Sequence, residues 1–309
     1  MIRRFTRAAK LAAGLLLVSP AVALPAVTDL ACPALVERAQ TPPAVFDEGL
    51  LFRVTRDGQP DAYLFGTMHI SDPKVMAFAP EIKAAYDASE QFAMEVVLDP
   101  EAIQAMQHSM FYHEGETLSH VAGDELYAAV TELTPRHGIP DELVDFMRPW
   151  AVYMTLSVPP SRGRLPMDMA LMLEAEKDGK PVIGLESVAE QTAVLGDLPL
   201  ADQLKLLEQT VCHYETLQAE TASMVETYVA RDLAGLMAQS MRHRVGDERI
   251  DEAVFEALIW RRNRHMFERL QPLLGKRSTF VAVGALHLPG ERGLLNLLEK
   301  AGYGVERVY

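Results

Sequence analysis

Two short stretches near opposite ends of the chain share a pattern: an apolar run, a glycine, two further residues and a histidine. The first stretch ends at His69 and the second at His287. Between them, Glu95 lies inside the apolar run 92–98, where a charged carboxylate without a partner would be costly. Two imidazoles and a carboxylate are typical ligands of a divalent metal ion in a hydrolase. The residue types therefore predict a metal site at these three positions, although the spacing alone also fits two hydrogen-bonded core histidines.

The composition is that of a folded protein with an excess of acidic residues. The chain has 309 residues, of which 49% are hydrophobic, and its formal net charge is −14. This length and hydrophobic content suffice for a sizeable core in one large domain or two small ones. The sequence contains no stripe of basic residues, which argues against nucleic acid as a partner.

The N-terminal residues 1–23 have the pattern of a secretory signal peptide. Basic residues precede a short apolar segment, and small residues follow it at a suitable cleavage site. The apolar segment is too short for a stable membrane anchor. We therefore expect a periplasmic or secreted protein with no stable membrane span after cleavage. Residues 24–45 are rich in Pro and Ala and are predicted to form a tether, followed by a single domain over residues 46–309.

The chain contains two cysteines, Cys32 and Cys212. In an oxidising compartment, a disulfide between them would join the N-terminal segment to the helical part of the chain. The alternative is two unpaired thiols, and the sequence leaves both open.

Strands that alternate with helices predict an α/β or α+β fold with a central mixed sheet and flanking helices. A large helical insertion is expected over about residues 100–270, including a long helix over residues 251–270 with a charged face. Sites in such folds form at the carboxyl ends of the strands, which is where the two histidines are expected. The predicted strands are 50–54, 62–66, 92–98, 181–186, 280–285 and 305–308.

A series of short motifs carries a resemblance to a known family. The motifs occur in one order over about residues 46–309: LFGTMH (64–69), ME (94–95), GLE (184–186) with EQ (190–191), RN (262–263), and GALHLPG (284–290). With them the chain resembles the TraB/GumN family, which is related to the Tiki metalloproteases. The resemblance implies that the paired GxxH motifs and the acidic residue bind metal, which maps onto His69, His287 and Glu95. It also implies metal-dependent cleavage of peptides or proteins, with Mn, Co or Zn as the metal.

Two further residues are candidates for catalysis. Glu186 follows a predicted buried strand and is interpreted as a general base or a fourth ligand; a carboxylate at a helix N-terminus is the alternative. Arg262 is a candidate for binding a substrate carboxylate or stabilising developing negative charge. Its alternative role is a salt bridge on a charged helix face.

Other residues are expected to support the site. Thr67 is a candidate for orienting a metal ligand, and Gln191 is expected near Glu186. Asp168 either caps a helix or lines the cleft. The methionines are core residues in the simplest interpretation, but Met106, Met110 and Met154 also fit an apolar wall that binds peptide.

These observations predict a metal-dependent hydrolase, with peptides or proteins as substrates. Two alternatives remain open at this point. The same cleft would suit a non-catalytic protein that sequesters a peptide or signal, or an esterase-like hydrolase of the same superfamily.

Overall fold

A computed structural model describes residues 30–37, 45–160, 163–244 and 247–309. The predicted signal peptide and most of the predicted tether lie outside these residues. Among the described residues, no helix combines the length and apolar character needed to cross a membrane. The strands are β1 (Val36–Glu37), β2 (Leu51–Thr55), β3 (Ala62–Thr67), β4 (Gln91–Met94), β5 (Val182–Gly184), β6 (His243–Arg244), β7 (Thr279–Gly284) and β8 (Gly304–Arg307).

Helices make up most of the remaining regular structure. The α-helices are α1 (Pro80–Ala88), α2 (Pro100–Met110), α3 (Leu118–Ala122), α4 (Asp124–Leu133), α5 (Asp141–Val144), α6 (Pro149–Leu156), α7 (Met167–Lys177), α8 (Val188–Gly196), α9 (Leu200–Cys212), α10 (Tyr214–Val229), α11 (Leu233–Ser240), α12 (Glu248–Phe255), α13 (Arg262–Leu274) and α14 (Leu294–Lys300). Thr134–His137 and Ala285–His287 are 3₁₀ turns, and Glu256–Arg261 is π-helical.

The main sheet is mixed, with the strand order β5-β4-β7-β3-β2-β8. Strands β5, β4, β7 and β3 are parallel, whereas β2 and β8 are antiparallel to their neighbours. Every residue of β7 is buried, as expected for a central parallel strand that helices cover on both faces. The α/β class with a mixed sheet and flanking helices is therefore confirmed. Parallel pairing places the carboxyl ends of β4, β7 and β3 side by side.

Aromatic residues from neighbouring strands fill the core below this edge. Phe280 of β7 contacts Phe65 of β3 and Phe92 of β4, with ring centroids 5.9 and 6.2 Å apart. Tyr86 of α1 packs edge-on against the same ring at 5.7 Å. Such pairs add to the stabilisation from burial, so this layer holds the strand ends in fixed relative positions.

A second hydrophobic core lies within the predicted helical insertion, where α6 packs against α9. Its buried side chains include Trp150, Val152 and Leu207. Strand β5 interrupts the insertion and joins the edge of the main sheet beside β4. The insertion therefore has its own core and is also attached to the sheet.

Three predicted elements differ from the structure. The predicted strand 181–186 is shortened to β5 (Val182–Gly184). The predicted strand 92–98 ends at Met94. The pairing with β7 stops there, and the backbone N–H of Gly284 donates to the side chain of Glu95. The predicted helix 251–270 extends over residues 248–274, and its middle segment is π-helical. Such π-helical segments often accompany functional sites.

A disulfide joins Cys32 to Cys212 at the end of α9. Its neighbourhood is reinforced by a 2.8 Å hydrogen bond between His213 Nε2 and the Pro33 carbonyl, and by pairing of β1 with β6. Residues 30–37, which belong to the predicted tether, are thus fastened to the helical part of the chain.

We expect reduction of this disulfide to lower the free energy of unfolding by about 2–4 kcal/mol. The two cysteines are 180 residues apart in sequence, and the cross-link removes conformational freedom from a long loop of the unfolded chain. Urea unfolding with and without a phosphine reductant measures the effect. A double variant, Cys32→Ser with Cys212→Ser, is the control and should show no response to the reductant. Identical curves for the wild type under both conditions would contradict the prediction.

Candidate metal centre

Glu95 lies directly after β4, at the carboxyl end of the sheet, and is 5% exposed. Its Oε1 accepts a hydrogen bond of 2.7 Å from the backbone N–H of Gly284. Its Oε2 accepts hydrogen bonds from the guanidinium of Arg262 and, at 3.2 Å, from Nε2 of Gln191. These donors compensate the charge that made the residue conspicuous in an apolar run.

Both histidine rings point at the same carboxylate oxygen. His69 follows the end of β3, and His287 lies in the 3₁₀ turn after β7. Nε2 of His69 is 3.8 Å from Oε1 of Glu95, and Nε2 of His287 is 3.6 Å from it. The parallel pairing of β3 and β7 thus places the two GxxH motifs on either side of one carboxylate.

Each imidazole is also oriented by a hydrogen bond at Nδ1, the nitrogen that faces away from Glu95. Nδ1 of His69 is 2.7 Å from Oδ2 of Asp168, and Nδ1 of His287 is 2.6 Å from Oδ1 of Asn263. Nδ2 of Asn263 donates to the Arg292 carbonyl at 2.9 Å, so its oxygen faces the ring as an acceptor. In both histidines Nδ1 therefore donates, and Nε2 is the atom presented to the centre. Histidine ligands in metal sites are commonly oriented in this way.

The two histidines differ in charge. The Asp168 carboxylate raises the pKa of His69 to about 9, against the opposing effect of burial. The side chain is 57% exposed at the cleft, so solvent screens part of this attraction. Burial lowers the pKa of His287 to about 3, so this ring is neutral near neutral pH with a lone pair on Nε2. Coordination at His69 requires loss of a proton, whereas coordination at His287 does not.

Arg262 lies between two buried carboxylates. Its Nη2 donates to Oε2 of Glu186 at 2.7 Å and also to Glu95, and its Nε donates to both oxygens of Glu186. Burial raises the pKa of Glu95, but Arg262, the two histidines and the backbone N–H of Gly284 together outweigh this and hold the pKa below its usual range. The side chain of Arg262 is only 12% exposed. It does form salt bridges, as in the alternative role, but with buried carboxylates beside the cleft.

This ion pair disfavours the predicted role of Glu186 as a general base or fourth ligand. Its side chain is 2% exposed, both of its oxygens accept from Arg262, and it does not line the cleft. The helix that follows is capped by Ser187 in a capping box with Glu190, so Glu186 does not serve the helix N-terminus either. Gln191, expected near Glu186, bridges Glu186 and Glu95 at 3.4 and 3.2 Å.

Asp168 lines the cleft and is not a helix cap. It is the second residue of α7, whose N-cap is Pro166. Its two oxygens accept from Nδ1 of His69 and from the hydroxyl of Thr67. Thr67 therefore orients Asp168, which in turn orients the imidazole. The sequence predicted that Thr67 orients a metal ligand. In the structure Thr67 contacts Asp168, and it is Asp168 that contacts His69.

Asn263 is the residue at the site that the sequence reasoning did not single out. It is completely buried and holds His287. It was visible only as the neighbour of Arg262 in the RN motif, since an asparagine within a charged helix has no distinctive pattern.

Gly284 allows the three side chains to approach one another. A Cβ atom at this position would lie 3.2 Å from Oε1 of Glu95, 3.4 Å from Nε2 of His69 and 3.5 Å from Cδ2 of His287. A side chain here would occupy the space between both rings and the carboxylate. The glycine of the second GxxH motif thus leaves room at the point where all three groups meet.

The donor set fits a divalent ion in its chemistry. Imidazole nitrogens lie about 2.0–2.1 Å and carboxylate oxygens about 2.0–2.2 Å from zinc, so a nitrogen and an oxygen that share one ion are at most about 4.0–4.3 Å apart. Both separations from Oε1 of Glu95 satisfy this limit. No set of three or more His, Cys, Asp or Glu side chains in the described ranges already stands in an arrangement that would hold an ion.

The three residues open into a cleft of about 480 Å³ between the sheet and the helical insertion. Its walls are mainly apolar, and His69, Glu95, Asp168, Arg262 and His287 form its polar floor. Binding sites for small ligands and peptide side chains have this character and size.

Comparison with known proteins places these features in a family. The sequence profile of the TraB/PrgY/gumN family matches residues 50–307. The chain is 27% identical over 309 aligned residues to Metalloprotease TIKI1 of Xenopus tropicalis, covering 82% of this chain and 60% of that protein. It is 28% identical over 301 residues to Metalloprotease TIKI2 of Xenopus tropicalis (80% and 58%) and 26% identical over 310 residues to Metalloprotease TIKI1 of Homo sapiens (83% and 61%).

This chain spans about 60% of the length of the Tiki relatives, so their names describe longer proteins. The family match, in contrast, covers nearly all of the described part of this chain from β2 onwards, including both GxxH motifs and Glu95. The chain therefore belongs to the TraB/PrgY/gumN family.

Proposed function

We propose that this protein is a metal-dependent hydrolase that cleaves peptide bonds. The observation that carries the proposal is the convergence of Nε2 of His69 and Nε2 of His287 on one oxygen of Glu95, at the floor of an open cleft. The names of the Tiki relatives support both the metal requirement and the choice of a peptide or protein as substrate.

The residues of this chain would hold the ion and keep its ligands in the right protonation states. Asp168 and Asn263 fix the two imidazoles, and Arg262 is the largest of several contributions that keep Glu95 ionised. When bound there, a divalent ion would polarise a carbonyl group and lower the pKa of a water molecule. Because two carboxylates already compensate the charge of Arg262, its role is to position Glu95 rather than to stabilise new negative charge on the substrate.

A periplasmic or secreted location is part of this proposal. The pattern of residues 1–23 supports it, and so does the Cys32–Cys212 disulfide, because disulfides persist mainly in oxidising compartments. Fractionation of cells that express the full chain, with N-terminal sequencing of the product, tests this point.

The metal site is tested by measuring bound metal. We expect the purified wild type, dialysed against Mn²⁺, Co²⁺ or Zn²⁺, to retain about one equivalent of at least one of them, and His69→Ala and His287→Ala to lose it. The matched control is His265→Ala, which removes an exposed histidine from the same helix as Arg262 and should leave binding unchanged. A folded wild type that retains no metal under any of these conditions would refute the site.

The reaction is tested on a peptide mixture analysed by mass spectrometry, with and without a chelator. We expect cleavage by the metal-loaded wild type, loss of cleavage with chelator, and a decrease of at least about 100-fold in His287→Ala, since even residues that only orient a ligand contribute 10–100-fold. Metal binding without cleavage, together with tight binding of intact peptides, would instead support the sequestering alternative. Cleavage of esters but not of peptides would support the esterase alternative.

A further inference from the structure

Methionine side chains line the cleft beside the candidate metal centre. They come from separate parts of the chain, namely the turn after β3, the end of β4, and helices α2, α6, α7 and α10. They are Met68, Met94, Met106, Met154, Met169 and Met224. Met110, which was predicted for the same wall, packs against the helical core instead.

One of these methionines and a neighbouring valine are more exposed than is usual for apolar groups. Met154 and Val158, one turn apart on and just after α6, are 41% and 40% exposed, and Met106, which lines the same cleft, is partly exposed. Scattered exposed apolar residues are normal, but these lie together on the walls of one concave site next to the groups proposed to act. An apolar surface that is concave and adjoins reactive groups is the usual form of a specificity pocket.

The chemistry of the wall defines what it would accept. Methionine is unbranched and polarisable, so a surface built from it adapts to several large apolar side chains, including aromatic ones. A charged side chain placed there would lose its hydration without gaining an ionic partner. The charged groups on the floor are already engaged: Glu95 with Arg262, and His69 with Asp168.

We infer that this methionine pocket binds a large apolar side chain of the substrate peptide, and so selects peptides with Leu, Met or Phe next to the bond that is cut. The inference rests on the proposed function and names the substrate class of the same site. Met106 and Met154 would then determine which substrate side chains bind, instead of packing in the core.

A second cavity adjoins the cleft at His69. It has a volume of about 550 Å³ and shares His69, Val158 and Pro166 with the methionine pocket. Its remaining described lining is more polar and includes Asp72, Arg164 and Gln218. An extended peptide could therefore place one apolar side chain among the methionines and continue past His69 into the more polar second cavity.

The test uses short labelled peptides with Ser, Gly and Ala flanks that differ only at one central residue: Leu, Met, Phe, Gly, Asp or Lys. Cleavage by metal-loaded protein is measured as kcat/KM, and binding to metal-free protein is measured separately by fluorescence anisotropy. The variant Met106→Gln with Met154→Gln replaces apolar atoms by polar ones at similar length. Met241→Gln, at a partly buried position that lines neither cavity, is the matched control.

We expect the Leu, Met and Phe peptides to exceed the Asp and Lys peptides by at least about 10-fold in kcat/KM and in affinity, and the double variant, but not the control, to lose most of this difference. Cleavage of all six peptides at similar rates, or a preference for Asp or Lys, would overturn the pocket while leaving the proposed function intact. Selective binding of apolar peptides without any cleavage would support the pocket and overturn the proposed function. If the protein neither cleaves the peptides nor binds any of them selectively, the pocket is overturned together with the proposed function.

Discussion

We expect Arg262→Ala to lower the free energy of unfolding by about 3–5 kcal/mol, the range found when one partner of a buried ion pair is removed. The guanidinium donates to both Glu95 and Glu186, whose side chains are 7% and 2% exposed. Without it, two buried carboxylates would face each other with Gln191 as a shared donor. One of them would have to bind a proton or the network would open. Urea unfolding of metal-free protein, followed by circular dichroism, measures the loss.

Arg264→Ala is the matched control for this experiment. Arg264 lies on the same helix and pairs with Glu256 at 3.1 Å, but both side chains are at least 41% exposed. Exposed pairs contribute about 0–1 kcal/mol, so the control should lose little. Adding Glu186→Gln to Arg262→Ala should recover part of the loss by removing one carboxylate. An Arg262→Ala variant that is as stable as the control would contradict the buried ion pair.

Stability of the metal-free protein should decrease as the pH falls from about 6.5 toward 3. The pKa of His287 is about 3 in the folded protein and about 6.5 when unfolded. Between these values the unfolded chain binds one more proton, so the free energy of unfolding falls by up to about 1.4 kcal/mol per pH unit. The lowered pKa of Glu95 acts in the same direction below about 4.5. His69 acts oppositely: its raised pKa stabilises the folded protein below about 6.5, and this contribution is lost as the pH rises through about 9.

Urea unfolding at several pH values in the presence of chelator separates these contributions. Burial lowers the pKa of His287 and also that of the partly buried His137. His287→Gln removes the more deeply buried of the two and should reduce the slope between about pH 4.5 and 6.5, where Glu95 does not yet contribute. His265→Gln removes an exposed histidine and should keep the wild-type slope. If His287→Gln and the wild type have the same slope in that range, the buried neutral imidazole is not the cause of the acid sensitivity.

Apolar runs and glycine-containing turns made most strands predictable, because the central strands β3, β4 and β7 are short and largely buried. The misplaced end of β4 shows the limit of that reasoning. Residues 95–98 have the apolar character of a strand, but the carboxylate of Glu95 replaces a backbone acceptor of the sheet. A hydrophobicity pattern does not show that a side-chain carboxylate, rather than a backbone carbonyl, accepts the hydrogen bond from Gly284.

For the candidate site, the sequence predicted the three candidate ligands but not the contacts of the residues around them. His69, Glu95 and His287 were accessible because a histidine after a strand and a carboxylate in an apolar run are conspicuous in sequence. The roles of Glu186, Arg262 and Asp168 depended on which carboxylate each partner reaches across the fold, and no local pattern contains that information. Asn263 was missed for the same reason, since its importance lies entirely in one contact with His287.

The parallel pairing of β3 with β7 has a consequence for how the protein is made. Ala62 pairs with Thr279 and Thr67 with Gly284, so the centre of the sheet joins segments from near opposite ends of the domain. Contacts between such distant segments form slowly, because the entropy cost of closing a long loop comes before the contacts can stabilise the fold. A ribosome-bound chain that has not yet emerged beyond β7 lacks both the central strand and His287. The site therefore cannot form until β7 and the turn that carries His287 have joined β3 and β4.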